Sequence, residues 1–562
     1  MANVMDWMDD PSETRGIHFH RNGSWEFTTY REIGDHARRI ANHLRGQGVH
    51  EGVVSLLVED SQAFTGAFLG TLHAGLTPAP IASPLTFASH DSFTDHAAAI
   101  LRAAEPAAVL ADTRLAGVAE AAAVKAQAPA PLVLPARAEL PDPENDRRTA
   151  ELALLQFTSG SSGTPKGVCV SADNLIANVR ANLDWLGVTP EDSCSSWLPL
   201  YHDMGLIGTF LSSVVAQADL WLMTPYDFIA APVRWLECHG REGVTITAAP
   251  NFGYAYAAGR VREEELAGTD FSTWRVAMSG AERVDAAIVA KFSERLAPYG
   301  FRASTFSPCY GMAESTLAVS GVAPGATASI VCIENGPRTG EPVTVLDYGR
   351  LGVDRPDSPA DWLSSCGKPV TGMHVEIIDD DGNPVADGRY GEIRVTGTSV
   401  AQGYRGATTG SSTFTPEGLR TGDAGFLLDG ELYVIGRLGD SLKVRGRKVH
   451  AEDLEAALVQ IEGVRAGRCA VALGSRDGRD RAVVVVESDD SAWLPAVSTL
   501  LRTRLDASVE TIILRAERGA VPRTSSGKPR RRVLWQQIGD GEFPGEVVAG
   551  KQTTTPTTER AS

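Results

Sequence analysis

The chain has 562 residues, 43% of them hydrophobic and 22% charged, with a formal net charge of -18. That length exceeds what one hydrophobic core organises, so a soluble globular protein of at least two domains is expected. The acidic balance excludes a general nucleic-acid or anionic-membrane binder, although a nucleotide can still be held at a local positive site.

Thr29 and Glu32 form a capping box, and Tyr30, Ile33, Ala37, Ile40, Ala41 and Leu44 follow at helical spacing, which predicts an amphipathic helix. Val53 to Val58 reads as a buried strand, Ala63 to Ala74 as a helix ending at Gly75, and Ala107 to Leu110 as another strand, so an α/β sheet layer is expected. Pro135 to Arg148 is a surface connection into the apolar run Leu152 to Phe157. That strand delivers Thr158, Ser159, Gly160, Ser161, Ser162, Gly163, Thr164, Pro165, Lys166 and Gly167. Glycines let successive amide N–H groups face one concavity, the hydroxyls add donors, and Lys166 adds a positive charge, so the stretch reads as a phosphate cradle. It is not a P-loop, because Lys166 is followed by Gly167 and preceded by Pro165. Val168 to Val170 is the next strand, and Leu175 to Leu186 a helix closed by Gly187.

Downstream, His202 and Asp203 interrupt the apolar segment Trp197 to Gly208; alone, such a histidine is more readily a satisfied core residue. Ala248 to Phe252 and Trp274 to Glu282 read as strands ending in turns. In Ser307 to Leu317, Tyr310 can stack on adenine and Glu314 offers the hard oxygen that magnesium prefers, or both simply face solvent. From Gly321 to Ser364 the Gly/Pro content is loop-like, with strand candidates at Ser329 to Ile333 and Val343 to Leu346. Asp423 and Arg437 pair an acceptor with a donor for ribose hydroxyls. After Arg437, strands near Leu442 to Val444, Cys469 to Leu473 and Ala482 to Val486 alternate with helices near Asp453 to Ile461 and Ala492 to Leu505. Pro522 to Lys528 presents a lysine ahead of Arg530, Arg531 and Arg532, and residues from about Gly545 to Ser562 read as a disordered tail. The seven cysteines contain no CxxC pair, which argues against a zinc site or disulfide framework and for reduced, cytoplasmic thiols. Met1 to Glu13 lacks a leader pattern and no apolar run reaches spanning length, so neither secretion nor stable membrane insertion is expected.

The cradle, the Trp197 to Gly208 segment, the Ser307 to Leu317 segment, Gly422-Asp423 with Gly436-Arg437, and Pro522 to Lys528 resemble, in order, the signatures of the adenylate-forming superfamily. The wording around His202, Asn251 and Glu282, and the long 321–364 segment, is most similar to its fatty acyl-AMP ligases. The resemblance implies a large multi-subdomain α/β domain over residues 1–436, with an insertion at about 321–364, and a small mobile α+β lid over 437–544. It implies ATP and Mg²⁺ as cofactors, a fatty acid substrate, release of pyrophosphate, and transfer of the acyl group to the phosphopantetheine thiol of an acyl carrier protein. An acyl-CoA synthetase is the alternative, and a catalytically silent acyl or nucleotide sensor a further one. By the same resemblance Lys528, Lys166, His202 and Glu314 are catalytic, with Glu314 also the metal ligand; His202, Asn251 and Phe252 line the acyl site. Thr158 to Thr164, Gly280, Ala281, Glu282, Tyr310, Gly311, Met312, Ala313, Ser315, Asp423 and Arg437 bind ATP. The hinge falls at Gly439 or Asp440, where the family has Asp or Lys; Lys443 and Arg447 to Glu455 also depart from the ligase wording.

Overall fold

A computed structural model describes residues 3–83, 90–158, 165–334, 337–354, 362–406, 412–444, 447–476, 479–505, 509–524 and 527–550. Ser159 to Thr164, most of the expected cradle, lie outside these residues, as does the tail from 551.

The capping box forms as expected: the Thr29 hydroxyl accepts from the Glu32 amide, and the Glu32 carboxylate accepts from the Thr29 amide at 2.9 Å. The helix Tyr30–Gly46 buries the expected stripe. Val53–Leu57 is buried along its length in a parallel sheet ordered Thr77–Pro80, Val53–Leu57, Ala108–Ala111, Leu132–Val133. A run buried without alternation, apolar but for Ser55, is what a strand covered on both faces shows.

Among the described residues, the largest sheet has nine strands, ordered Lys368–Pro369, Ala318–Gly321, Phe306–Gly311, Val276–Ser279, Ile246–Ala249, Ser193–Ser196, Asp219–Leu222, Gly16–Arg21 and Ser24–Thr29. Its run from Phe306–Gly311 to Gly16–Arg21 is parallel. Ligands in such sheets bind outside the carboxyl ends of the strands. The cradle strands Leu152–Thr158 and Lys166–Ser171 form an antiparallel hairpin, with Thr158 opposite Lys166. The segment around Tyr404 extends it: Cys169 N donates to Gly403 O at 2.8 Å and Arg405 N to Gly167 O at 2.8 Å.

The 321–364 segment holds a three-stranded sheet, Val345–Arg350, Ser329–Ile333 and Trp362–Ser364. The second expected strand begins two residues later than its apolar run, because Val343 is taken by Gly388 O, and Trp362–Ser364 is too short to register in sequence. Val331, Ile333 and Leu363 pack with Phe426, Tyr433 and Ile435, while Ile330 and Leu351 join the large core.

After Arg437 comes a short 3₁₀ turn, Leu438–Asp440, then the hairpin Ser441–Val444 with Arg447–His450. A mixed four-stranded sheet, Cys469–Arg476, Arg479–Glu487, Glu510–Ala516 and Gly545–Ala549, carries the helices Ala451–Leu458, Leu494–Arg504 and Arg531–Asp540. Its apolar clusters, around Leu454, Val484 and Trp493 and around Val483, Ile512 and Leu534, draw only on residues from Leu442 onward. The expected tail is corrected at its start: Gly545–Ala549 pairs antiparallel with Glu510–Ala516, and Val547 packs beside Ile512 and Leu514. Two valines suffice because an edge strand needs one apolar face and one ladder of hydrogen bonds.

Candidate active site

The loops singled out in the sequence leave consecutive parallel strands at one edge. Ser193–Ser196 leads to His202 and Asp203, Ile246–Ala249 to Asn251 and Phe252, Val276–Ser279 to Gly280, Ala281 and Glu282, and Phe306–Gly311 to Met312 and Glu314. Backbone strain accompanies them: Ala281 and Thr316 both take φ of 68°. Non-glycine residues pay for that conformation and keep it where surrounding contacts dictate it. Gly311 is required sterically, since a Cβ there would stand 2.0 Å from Leu317 O.

His202 stands two residues before a π-helical stretch, Met204–Leu211, which Asp203 caps, a rare geometry that recurs at functional sites. Its Nε2 is buried and meets no hydrogen-bond partner among the described residues. Burial, with the Lys528 charge adding to it, lowers its pKa to about 4, so the ring is neutral at physiological pH. A neutral imidazole with an unsatisfied nitrogen can hydrogen-bond an entering carboxylate, recovering a cost of about 1–3 kcal/mol. Phe252, 49% exposed, groups with Trp197, Phe228 and Tyr256 at ring separations of 6.4, 6.5 and 5.3 Å. Asn251 is otherwise engaged. Its amide donates to Arg283 O at 2.7 Å and accepts from Asp285 N at 3.1 Å, which ties the start of helix Asn251–Arg260 to the neighbouring strand-end loop.

At the cradle hairpin, Lys166 opens its strand and is only 7% exposed. Its Nζ lies 5.0 Å from the ring centroid of Tyr404, whose hydroxyl donates to Glu314 Oε1 at 2.5 Å. Burial lowers the Lys166 pKa, Glu314 raises it, and Arg532 and Arg437 lower it further. Tyr404 escaped the sequence reading: it lies ninety positions from Glu314, and an aromatic residue between Gly403 and Arg405 carries no periodic signal. Among the described residues no group of three or more His, Cys, Asp or Glu side chains stands ready to hold a metal by itself. Glu314 nonetheless fits Mg²⁺, which takes one or two carboxylates and completes its shell with water and substrate phosphate oxygens.

Tyr310 donates to Asp423 Oδ2 at 2.6 Å, and Asp423 Oδ1 accepts from Arg437 Nε at 2.8 Å. Asp423 and Arg437 face each other across adjacent antiparallel strands. Asp423 raises the Arg437 pKa more than burial lowers it, so the guanidinium stays charged. Ser315, expected to meet ATP, is fully buried in the turn, with its hydroxyl 2.9 Å from Met312 O and 3.2 Å from Leu317 O, which share its one hydrogen.

Lys528 completes the cluster from the far end of the chain. Its side chain keeps accessible surface, yet enough protein surrounds its ammonium to lower its pKa, an effect Arg437 adds to and Glu282, Asp203 and Asp423 oppose. Burial raises the Asp203 and Glu282 carboxyls, and the Lys528 charge draws both back down. The backbone at Asn251 and Phe252 also lowers the Glu282 carboxyl. Of the two hinge candidates, a Cβ on Gly439 would meet nothing within 4 Å, so neither space nor a left-handed φ demands glycine there. Asp440 is held by Arg531 at 2.9 Å, and Arg531 also pairs with Glu452 at 2.9 Å and Glu455 at 2.7 Å.

Acids and cations gathered on the carboxyl edge of a parallel sheet, beside a buried lysine and a glycine-bearing hairpin, define an α/β enzyme of the adenylate-forming class. The model of the AMP-binding enzyme family matches residues 8–405. The long-chain-fatty-acid–AMP ligase FadD26 of Mycobacterium tuberculosis is 33% identical over 560 residues, covering 93% of each chain. JamA of Moorena producens, named a medium-chain-fatty-acid–[acyl-carrier-protein] ligase, is 30% identical over 565 residues, covering 92% of this chain and 91% of that protein. A Caulobacter vibrioides protein carrying an acyl-CoA synthetase name is 35% identical over 530 residues, covering 90% of this chain and 89% of its own. A solved structure from work on fatty acyl-adenylate ligases of E. coli and L. pneumophila superposes with a TM-score of 0.83 at 29% identity, covering 95% of this chain and 97% of that one. The chain therefore belongs to the AMP-binding enzyme family, among its fatty acyl-AMP ligases, and is an ATP-using enzyme that forms acyl adenylates.

Proposed function

We propose that this ligase loads a fatty acid onto an acyl carrier protein in two displacements. The fatty carboxylate attacks the α-phosphorus of ATP, the bond to the bridging oxygen breaks, and pyrophosphate leaves. The phosphopantetheine thiol then attacks the acyl carbon, its S–C bond forming as the C–O bond to AMP breaks, and the thiol proton passes to solvent. The common charge environment of Lys528, Asp203, Glu282, Asp423 and Arg437 carries the first half of this reading. Burial and Arg437 press Lys528 to lose its proton, and an anion arriving there restores the balance. Lys528 therefore acts where negative charge accumulates on the reacting oxygens. His202 orients the carboxylate without adding charge, and Phe252 borders the acyl chain. Lys166 and the cradle hold the phosphates, Tyr310 meets adenine, and Asp423 with Arg437 meets the ribose. Glu314 would hold Mg²⁺, which when bound neutralises phosphate charge. The segment after Arg437 works as a lid turning at Leu438–Asp440, supported by its separate apolar clusters. Free cysteines among the described residues agree with work in the cytoplasm, and no helix there is long and apolar enough to cross a membrane.

The carrier protein as acceptor is supported by the name JamA carries and by the sheet built within residues 321–364. The name of the Caulobacter relative makes CoA the competing acceptor. The deciding experiment supplies ATP, Mg²⁺ and fatty acids of several lengths, with either CoA or a phosphopantetheinylated carrier protein. Acyl-carrier protein with little acyl-CoA is expected; acyl-CoA formed as readily as acyl-carrier protein would replace this reading with an acyl-CoA synthetase.

A further inference from the structure

Arg283 stands where three distant parts of the chain meet. It belongs to the strand-end loop of Glu282, and its own carbonyl is fixed by Asn251. Its Nη2 donates to Trp362 O at 3.0 Å, on the third strand of the 321–364 sheet. Its Nη1 meets Asp453 Oδ1 at 2.5 Å, in the first turn of helix Ala451–Leu458. The side chains are 16% and 29% exposed, so the pair is partly withdrawn from solvent and screened less than a surface pair. A guanidinium suits this role because its planar fork presents donors to two partners in fixed geometry, which an ammonium on a flexible stem cannot do.

We propose that Arg283 is a positioning residue for adenylation. Trp362 O aims the guanidinium, and its grip on Asp453 holds the segment after Arg437 in the arrangement that brings Lys528 beside Glu282 and Asp203. Rotation of that segment for thiol attack requires the Arg283–Asp453 pair to part, so the pair favours one half-reaction over the other. The same carbonyl contact makes the 321–364 sheet part of the device, because the sheet sets where the guanidinium points. This rests on the acyl-adenylate reading of the site, and Arg283 itself needs to touch neither ATP nor acyl group.

The test compares Arg283→Gln, Asp453→Asn and the double variant with wild type, all as full chains. Pyrophosphate release measures adenylation, and acyl transfer from supplied acyl-AMP to a carrier thiol measures the second half. Each single variant is expected to lose about tenfold in kcat for adenylation, with KM for ATP and fatty acid changed less than about twofold. Transfer from supplied acyl-AMP is expected at or above the wild-type rate. The double variant should be no worse than the worse single, since both remove one interaction. Small-angle scattering should show a larger radius of gyration in the variants, without any turnover. Losses that add in the double variant, or that fall equally on both half-reactions, overturn the proposal, as does an unchanged kcat with unchanged scattering. Asp453→Asn carries the test alone if Arg283→Gln does not fold. Absence of acyl-AMP from the wild type would count against the proposed function, and the scattering comparison would still decide whether the pair holds the segment.

Discussion

Tyr404 donates its phenolic hydrogen to Glu314 at 2.5 Å while its ring lies beneath the Lys166 ammonium. One residue thereby spaces the acid proposed for the metal from the cation proposed for the phosphates. Burial first, and then Glu314, raise the Tyr404 pKa, so the phenol stays protonated and donating across any assay pH. Without it, Glu314 and Lys166 could pair directly and neutralise the two charges that a nucleotide triphosphate needs kept apart.

Tyr404→Phe keeps the ring under Lys166 and removes only the hydroxyl. A hydrogen bond to a charged group contributes about 1.5–3 kcal/mol, so adenylation should slow by about tenfold or more. Fatty-acid-dependent pyrophosphate release measures this; a rate within about twofold of wild type would make the hydroxyl incidental.

Lys528→Ala should leave ATP binding within about threefold of wild type and lower adenylate formation by about 10²–10³-fold, since its charge matters most in the transition state. Equilibrium nucleotide binding and single-turnover acyl-AMP formation separate the two effects. Near wild-type acyl-AMP formation would remove Lys528 from the mechanism.

Glu314→Gln should raise the Mg²⁺ concentration needed for half-maximal adenylation, because an amide oxygen binds a hard dication more weakly than a carboxylate. A Mg²⁺ titration at saturating ATP and fatty acid checks it. An unchanged midpoint with normal turnover would assign Glu314 to Tyr404 alone.

His239 predicts an acid limit to stability. It is fully buried, stacked on Trp274 at 3.7 Å, with its ring nitrogens 2.8 Å from Ser195 Oγ and 2.8 Å from Val244 O. Burial lowers its pKa from 6.5 to about 3. Below about pH 6.5 the unfolded chain binds a proton that the folded chain refuses, so the stability this residue contributes is full above that pH and lost progressively toward about pH 3. His239→Gln keeps hydrogen-bonding capacity without titrating, and should reduce by about one the protons taken up on unfolding near pH 5. Denaturant melts across this range give that number, and an unchanged pH slope would mean that His239 titrates alike in both states.

Local chemistry is written in the order of residues. The Thr29–Glu32 box, the buried stripe of helix Tyr30–Gly46 and the existence of strands on both sides of the cradle were legible because each depends on residues a few positions apart. The family was legible for the same reason, since motif segments keep their residue types and spacing whatever surrounds them. The edge strand Gly545–Ala549 was not, because its partner, Glu510–Ala516, decides whether two valines are enough. Ser315 stands inside a motif and still spends its hydroxyl on Met312 O and Leu317 O, a choice made by how the turn closes. Tyr404 beneath Lys166, Lys528 among Asp203, Glu282 and Asp423, and Arg283 between Trp362 and Asp453 arise only when sheets from separate stretches pack together. A side chain's sequence neighbours set its backbone, but the residue facing it across a strand edge, a hairpin or the cleft is set by packing, and packing decides which charges meet.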